Sequence, residues 1–461
     1  MKISFLGGAR TVTGSRFLLQ ADSLRVLVDC GLFQGPRIWK ERNWSDFPVD
    51  PSTVDAVILT HAHIDHSGYL PRFVKLGFRG PVYCTPATID LLRLMLPDSG
   101  HIQEEDAQFA NKKQYTRHDP ALPLYTEQDA RDCLELLRPV DFYTGLRLKD
   151  VEFSLLRAGH ILGSAMIEIK HSGHTVTFTG DLGRPAQFIT KEPDSIHRTN
   201  YLVMESTYGN RLHQNINVKE KLAEVIKRTA SNGGTVIVPA FAIGRTQELL
   251  FLLRNLEEAG EIPQLPVFID SPMAIQALSI YDRYVADSST ELAELRRKDS
   301  TPFVCHHIHS MRTVQESMTL NEVKYPCVII SASGMATGGR ILHHLKRRIQ
   351  DHRNTVLFIG FQAEGTKGRF LVEGAKEIKI HGKQIPVRAS IEYMDGLSCH
   401  ADYEEILQWL QHFKEAPART FLVHGEESAS MSLAQKIRDR YGWPVEVPDY
   451  LETVDLSAEK L

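Results

Sequence analysis

Short apolar runs separated by tight turns fill the first 60 residues, and this pattern predicts a β-rich segment. The run Ala56–Thr60 predicts a buried strand whose C-terminal end delivers His61. Amphipathic stretches predict helices over 87–96 and 126–138. Further strands are predicted over 151–156, 165–170, 174–179 and 201–205.

After residue 208 the pattern changes, and helices alternate with short apolar strands. Strands are predicted over 235–239, 266–270, 327–331 and 355–360, and helices over 218–230, 245–258, 273–284 and 340–350. Alternation of this kind indicates a parallel sheet covered by helices. From residue 387 the pattern returns to strand, helix and strand, over 387–393, 402–413 and 419–423, which indicates one domain inserted into another.

Composition narrows the class of protein. The 461 residues carry a formal net charge of −4, which argues against a globally basic nucleic-acid-binding protein but leaves room for a local basic groove. The six cysteines contain no C-x-x-C pair, so neither a cysteine zinc site nor a disulfide framework is indicated, and a reducing, cytoplasmic location is expected. No apolar run approaches the roughly 20 residues of a membrane-spanning helix, so no membrane partner is expected.

The predicted buried strand is followed by His61-Ala62-His63-Ile64-Asp65-His66, in which four of six residues can bind a metal. Zinc prefers imidazole nitrogen and carboxylate oxygen. Alternate side chains at a strand end can point at two adjacent metals, with His61 and His63 facing one and Asp65 and His66 the other. A histidine-rich polar loop is the alternative, but four ligand types in so short a segment are a much stronger signal than one histidine.

Three further candidates follow other predicted strands. His160 lies in a loop of small residues, Asp181 follows a Thr-Gly pair, and His424 follows an apolar Phe-Leu-Val run. Each alone could be an ordinary cap of a strand end. Together they end successive buried strands and are expected to converge on one sheet edge, where loops carry function.

Three of these motifs resemble motifs of the metallo-β-lactamase superfamily. They are H-x-H-x-D-H, a downstream Gly-His and a Thr-Gly-Asp. The resemblance implies an α/β fold, a four-layer αββα sandwich, with two zinc ions as cofactors. Asp29, at the end of an early strand, matches a motif whose acid orients the histidines and binds no metal. In the implied ligand sets one zinc is held by His61, His63 and His160, the other by Asp65, His66 and His424, and Asp181 bridges the two.

Three later segments resemble signatures of the β-CASP branch of that superfamily, which processes nucleic acids. They contain Glu205, His400 and His424. The resemblance covers essentially the whole chain and is closest to bacterial and archaeal RNA-processing relatives of the pre-mRNA 3′-end cleavage nuclease. DNA-processing members typically have valine where this chain has His424, so the resemblance favours RNA, expected as single strands. It implies a metallo-β-lactamase domain over 1–207 and 387–461 with an inserted, parallel α/β β-CASP domain over 208–386.

The resemblance extends to three glycine-containing loops of the inserted block, at 239–245, 331–340 and 360–369. The loop 331–340 lies between a predicted strand and a helix, and its backbone N–H groups and hydroxyls suit an anion. The alternative is a glycine turn needed only for packing, and Arg245 and Arg369 could each pair with an acid instead. The candidate phosphate-binding or RNA-binding residues are Ser331, Ser333, Gly334, Thr337, Arg340, Arg245 and Arg369.

The resulting hypothesis is hydrolysis of RNA phosphodiester bonds through a hydroxide activated by two metals. His400, which the ligand sets do not need, is the candidate general acid, and Glu205 would hold its ring through the other nitrogen. Asp65 counts among the catalytic residues as well as the ligands. Cleavage within the RNA and cleavage from its 5′ end both stay open, and a homodimer is a family-level expectation.

Three alternatives remain. A DNA nuclease of the same branch would use the same site. A thioester or lactam hydrolase would act on small molecules, and the large insert argues against it. An inactive RNA-processing scaffold would have lost the metals, whereas every ligand position is filled here. Other histidines, among them His118 and those at 306–309 and 343–344, are interpreted as structural or solvated.

Overall fold

The computed structural model describes residues 1–113, 120–214, 216–298 and 301–456. His118 and the last five residues of the predicted segment 387–461 lie outside the described residues. The chain forms two compact units. The first consists of Met1–Pro185, Glu192–Leu212 and His400–Leu461, and the second of Ala186–Lys191 and His213–Cys399.

The strands within the described residues are, in chain order, β1 (Lys2–Gly7), β2 (Arg16–Ala21), β3 (Leu24–Val28), β4 (Ala56–Ile58), β5 (Val82–Cys84), β6 (Leu137–Pro139), β7 (Leu146–Leu148), β8 (Val151–Arg157), β9 (Ala165–His171), β10 (His174–Phe178), β11 (Tyr201–Glu205), β12 (Thr235–Pro239), β13 (Val267–Asp270), β14 (Ile308–Ser310), β15 (Cys327–Ser331), β16 (Thr355–Phe358), β17 (Glu377–Ile380), β18 (Lys383–Pro386), β19 (Ser390–Tyr393), β20 (Arg419–Val423), β21 (Val445–Glu446) and β22 (Thr453–Asp455).

The α-helices within the same residues are α1 (Arg37–Glu41), α2 (Ile64–Ser67), α3 (Leu70–Lys75), α4 (Pro86–Lys113), α5 (Glu127–Leu134), α6 (Val218–Ser231), α7 (Arg245–Glu258), α8 (Pro272–Arg283), α9 (Thr290–Lys298), α10 (Val314–Thr319), α11 (Ile341–Arg348), α12 (Lys367–Val372), α13 (Tyr403–Leu410) and α14 (Glu427–Tyr441). None of these helices combines the length and the apolar character that crossing a membrane requires.

The first unit contains two sheets that face each other. One has the strand order β22-β1-β2-β3-β4-β5-β6, and the other has the order β21-β20-β11-β10-β9-β8-β7. Their facing sides share one apolar core, in which the ring of Phe5 lies 5.3 Å from that of Phe421 and the ring of Phe17 lies 6.0 Å from that of Phe178. Burial of these large rings supplies much of the stability of a sandwich of this kind.

Helices cover the outer sides of the two sheets. Apolar residues of α13 and α14, among them Ile406 and Leu433, pack against Met204 and Leu422 on the outer side of the second sheet. The helices α3, α4 and α5 follow strands of the first sheet, and α4 contacts β6. The layers are therefore helix, sheet, sheet and helix, as the resemblance implied.

The second unit is built on a parallel sheet with the order β14-β13-β15-β12-β16-β19, accompanied by the hairpin β17-β18. Its central strands β12 and β15 are buried throughout, as expected for strands covered on both faces. The predicted parallel α/β fold of the insert is confirmed. The strand β19 was predicted as the first element of the C-terminal segment, but it pairs in parallel with β16 and continues this sheet.

Two helices differ most from their predicted bounds. The helix α4 runs over Pro86–Lys113 and not over 87–96, because its second half is polar and mostly exposed and therefore shows no apolar periodicity. The helix α5 ends at Leu134, short of the predicted 138. The residues that follow, Leu137–Pro139, form β6 because they pair in parallel with β5.

Candidate metal centre and active site

The strands that carry the predicted site residues are parallel neighbours, so their C-terminal ends lie at a common edge. In one sheet, β3 and β4 end just before Asp29 and the segment that begins at His61. In the other, β10 ends just before Asp181, β11 ends at Glu205, and β20 ends just before His424. The pairing of these strands thus brings the predicted site residues, which are far apart in sequence, close together in space.

One group of donors consists of His61, His63, His160 and Asp181, whose ligand atoms all lie within 4.8 Å of one another. The Nδ1 of His63 is 3.1 Å from the Nε2 of His61 and 3.2 Å from the Nε2 of His160. The Oδ2 of Asp181 is 3.4 Å from the Nε2 of His61 and 3.3 Å from that of His160. The loop that carries His160 is held by Ser164, whose hydroxyl accepts from the backbone N–H of His160 at 2.9 Å.

A second group consists of Asp65, His66 and His424. The Nε2 of His424 is 3.3 Å from the Oδ2 of Asp65. The Oδ1 of Asp181 is 3.1 Å from the Nε2 of His66 and 3.2 Å from the Nδ1 of His424. Asp181 therefore places one carboxylate oxygen beside each group of donors.

The chemistry and spacing of the donors fit a pair of zinc ions. The two groups contain five imidazoles and two carboxylates, which are zinc ligands, and no thiolate. Tetrahedral ligands at about 2.0–2.2 Å from one zinc lie about 3.3–3.6 Å from each other. The donor separations within the groups, 3.1–3.4 Å, are close to this spacing.

Buried Asp29 holds two residues of this centre in place. Its carboxylate accepts from the N–H and the hydroxyl of Thr60, at 2.7 and 2.9 Å, and lies 2.7 Å from the Nδ1 of His66. The hydroxyl of Thr60 is also 3.0 Å from the Nδ1 of His61. Asp29 thus contacts the nitrogen of His66 that faces away from Asp181, a position from which a carboxylate can fix the orientation of the ring.

Burial and charge act in opposite directions on the histidines. Burial lowers the pKa of His61 well below its ordinary value, and it lowers the pKa of His63 to about 4. Neutral imidazole is the form that binds metal, so both rings are ready as ligands. Burial also acts to lower the pKa of His66, but the carboxylates of Asp181 and Asp29 outweigh it and raise that pKa well above its ordinary value.

His400 lies beside these groups, next to Glu205. Its Nδ1 is 3.1 and 3.0 Å from the two carboxylate oxygens of Glu205, and its Nε2 is 4.0 Å from the Oδ2 of Asp181. Glu205 is fixed in turn by the backbone N–H of Leu182, which donates to its Oε1 at 2.5 Å. Donor atoms of Asp181, His400 and His424 also lie within 4.8 Å of one another. The position of His400 therefore suits a metal ligand as well as a general acid.

Comparison with known proteins agrees with this geometry. Residues 11–207 match the family model of the metallo-β-lactamase superfamily, residues 246–371 match that of the Beta-Casp domain, and residues 384–448 match the Zn-dependent metallo-hydrolase RNA specificity domain. Ribonuclease TTHA0252 of Thermus thermophilus is 37% identical over 94% of this chain and 95% of its own length. The chain belongs to the β-CASP branch of the metallo-β-lactamase superfamily.

Other members of the branch are similar over nearly the whole chain. The transcription termination factor FttA of Methanocaldococcus jannaschii is 31% identical over 98% of this chain and 71% of its own length, and an RNase J-like protein of the same organism is 31% identical over 97% of both. A protein of unknown function from Enterococcus faecalis V583 has the same fold, with a TM-score of 0.55 at 14% identity over 98% of this chain and 99% of its own. The match to a Zn-dependent metallo-hydrolase domain indicates that this chain depends on metal, and the seven predicted donors lie in the two groups described above.

The predicted phosphate-binding loop, residues 331–340 of the second unit, is compact. The hydroxyl of Ser333 accepts from the N–H of Thr337 at 3.0 Å and from that of Gly338 at 3.4 Å. Buried Ser331 donates its hydroxyl to the carbonyl of Asp270 at 3.0 Å, so this side chain belongs to the packing of the sheet. A Cβ added to Gly334 would lie 2.6 Å from the ring of Phe241.

The three candidate RNA-binding arginines, one from each of the loops 331–340, 239–245 and 360–369, have partners inside the second unit. Arg340 donates to the Oδ1 of Asp270 at 2.8 Å and to the carbonyl of Met311 at 2.9 Å. Arg245 is buried and donates to the carboxylate of Glu248 and to the carbonyl of Leu397. Arg369 donates to the carboxylate of Glu373 at 2.5 Å. Arg245 and Arg369 therefore make the acid pairing that the sequence left open for them.

Two supporting residues were missed by sequence reasoning. Thr60 is a buried polar residue at the end of an apolar run, and this break in the apolar pattern is a signal that could have marked it. The role of Ser164 had no comparable signal, because a serine in a glycine-containing loop is common.

Proposed function

We propose that this chain is a zinc-dependent ribonuclease that hydrolyses phosphodiester bonds of single-stranded RNA. The observation that carries the proposal is the pairing of His400 with Glu205 beside seven metal-binding side chains. A zinc-binding site alone would suit any hydrolase of the superfamily, whereas an added imidazole held by a carboxylate suits protonation of an alkoxide leaving group. The similarity to a ribonuclease and to an RNase J-like protein supports RNA as the substrate.

Two zinc ions are proposed as the cofactor. One would be held by His61, His63 and His160, the other by Asp65, His66 and His424, with Asp181 between them. When bound, a zinc pair supplies Lewis acidity, which polarises a phosphoryl oxygen and makes hydroxide available at neutral pH.

The protein's own residues would move the proton and hold the geometry. His400 would donate from Nε2 to the oxygen that leaves the phosphorus, since its Nδ1 is engaged by Glu205. Glu205 would fix both the tautomer and the orientation of the ring, because Leu182 anchors its carboxylate. Asp29 would keep the ring of His66 turned towards its metal.

In the β-CASP domain, proposed for residues 208–386, the loop 331–340 remains the candidate for the RNA backbone. The hydroxyls of Ser333 and Thr337, 3.0 Å apart, are the candidate hydrogen-bonding groups of that loop, whereas the hydroxyl of Ser331 donates to Asp270 within the sheet. Arg340 is 23% exposed and fixed through Asp270, so it would present a preorganised cation.

The test uses His400→Ala, with His101→Ala as a matched control, because His101 is an exposed histidine of the same unit. Zinc per chain is measured by mass spectrometry of the metal, and cleavage is followed on end-labelled RNA and DNA of one sequence. We expect His400→Ala to keep its zinc while kcat falls by about 10²–10⁴-fold, the usual contribution of a general acid. The control should keep both properties.

Each alternative predicts a different result in the same experiment. Loss of zinc from His400→Ala would make His400 a ligand, and unchanged cleavage would remove it from the reaction. Cleavage of DNA at the rate of RNA would favour the DNA nuclease. A wild-type protein that binds no zinc would be a scaffold. The sizes of the products over time separate internal cleavage from cleavage at the 5′ end, and light scattering tests the predicted homodimer.

A further inference from the structure

A buried arginine lies under one half of the proposed metal centre. Arg16 begins β2, and its side chain is enclosed by the rings of Tyr69, Phe33 and Phe47, whose centroids lie 3.9, 4.8 and 5.5 Å from the guanidinium carbon. Within the described part of the chain it forms no ion pair with a carboxylate. An isolated buried charge is costly, and the aromatic faces and hydrogen bonds offset only part of that cost. An apolar residue would suit the strand better, so the guanidinium points to a specific role.

The guanidinium donates to the segment that follows β3. Its Nε donates to the carbonyl of Gly31 at 2.8 Å, and its Nη2 donates to the Oδ1 of Asn43 at 3.1 Å. Asn43 in turn exchanges two hydrogen bonds with the backbone of Phe33, at 3.0 and 2.8 Å. The planar group of Arg16 therefore fixes both ends of the short stretch from Gly31 to Phe33.

This stretch and its neighbours support Asp65 and His66. The N–H of Cys30 donates to the carbonyl of His66 at 2.7 Å, and the N–H of Ser15, the residue before the arginine, donates to the carbonyl of Asp65 at 2.8 Å. A Cβ on Gly31 would lie 1.7 Å from that same carbonyl oxygen, so the two backbones are in direct contact. Any shift of Gly31 is therefore transmitted to the backbone of Asp65.

The other half of the centre has different supports. His61 directly follows Thr60, which Asp29 holds at the end of β4. His160 lies on a separate loop that Ser164 holds. Among the described residues, the polar partners of His61 are Thr60, His63 and Asp181, none of which belongs to the stretch from Gly31 to Phe33.

From these contacts we propose that Arg16 is a positioning residue for the Asp65–His66 half of the metal centre, acting through the backbone of Gly31. The inference rests on the proposed two-zinc site. It follows that loss of the guanidinium should weaken one zinc and spare the other.

The experiment compares the full-length wild-type chain with Arg16→Met and Arg16→Lys. The methionine variant keeps an unbranched apolar side chain, and the lysine variant keeps the charge but loses the planar fork. Arg254→Lys serves as the control, because Arg254 is a buried arginine of the second unit. Zinc per chain is measured across a graded chelator series, and thermal unfolding is measured on the zinc-free proteins.

We expect both Arg16 variants to lose one zinc at about 10–100-fold lower chelator concentration than the wild type, while the second zinc is retained as in the wild type. Equal weakening of both zincs would overturn the inference. So would a lower unfolding temperature of the zinc-free protein with unchanged zinc affinities, because that is the result of a purely structural role. If Arg16→Met does not fold, the zinc affinities of Arg16→Lys alone test the proposal.

Zinc affinity is measured without RNA. The experiment can therefore refute the role of Arg16 without refuting the ribonuclease function, and the reverse also holds. A wild-type chain that binds two zincs and cleaves no RNA would refute the ribonuclease and leave the role of Arg16 decided by the chelator series. A wild-type chain that binds a single zinc would overturn the role of Arg16, because the half-site that it supports would not exist.

Discussion

Replacing Asp29 by asparagine removes a buried negative charge while keeping the size of the side chain. The Asp29 carboxylate makes three short contacts, two with Thr60 and one at 2.7 Å with the Nδ1 of His66. The backbone of Asp29 has a φ of 59°, in the left-handed region that asparagine tolerates better than most residues. Asp29→Asn therefore changes charge and hydrogen bonding with little added backbone strain.

The size of the effect follows from the lost contact. The amide nitrogen of asparagine cannot accept a hydrogen bond, so either His66 or Thr60 loses its acceptor, and a buried unsatisfied donor costs about 1–3 kcal/mol. Loss of a partner that orients a metal-binding histidine weakens metal binding about 10–100-fold, which corresponds to about 1.4–2.8 kcal/mol. We expect the zinc held by Asp65, His66 and His424 to weaken by this factor and the other zinc to change less.

Competition with a chelator of known zinc affinity measures this change, and thermal unfolding at fixed zinc concentration checks it independently. Asp22→Asn is a matched control, because Asp22 also has a positive φ and lies 3.2 Å from a histidine, His171, but is exposed and outside the two donor groups. Unchanged zinc affinity in Asp29→Asn would refute the orienting role. An equal loss in Asp22→Asn would show that the effect has no connection with the centre.

Three further predictions follow from other contacts. Glu205→Gln should lower kcat with little change in KM or zinc content, because it alters the partner of His400 and no proposed ligand; a changed zinc content would contradict this. Hydrogen bonds from His344, Ser317 and Arg340 outweigh burial and lower the pKa of Asp270, so the stability that its charge contributes is full above the unfolded value of about 3.9 and is lost as pH falls through the lower folded value. Asp270→Asn should therefore unfold more easily at pH 7 and show a smaller further loss on acidification, measured by denaturant titration. All six cysteines are free and buried, so a thiol reagent should modify none of them until the chain unfolds, which absorbance of the released dye would show.

The donor residues could be predicted from sequence because the chemistry is concentrated at strand ends. A buried strand followed by four metal-binding residues leaves few other interpretations, and parallel pairing of the later strands brings Asp181 and His424 to the same edge. The supports could not be predicted. Thr60 and Arg16 act through contacts with residues that are distant in sequence. A local sequence pattern does not predict which carbonyl group accepts a hydrogen bond from a guanidinium.

The fold was predictable where apolar periodicity is strong and less so elsewhere. Strands such as β11, β12, β15 and β20 have the predicted bounds, because each is a continuous apolar run between polar turns. The helix α4 exceeds its predicted length because a polar, exposed half-helix has no apolar period. The strand β19 belongs to the sheet of the second unit because it pairs with β16. This pairing depends on tertiary contacts, and the four residues of β19 do not predict it.

The order of the donors along the chain has a consequence for synthesis. Six of the seven proposed ligands lie between His61 and Asp181, whereas His424 follows the second unit, which extends to Cys399. His400, the proposed acid, also follows that unit. A chain emerging from the ribosome thus carries an incomplete centre until the whole second unit, and then His400 and His424, have been translated.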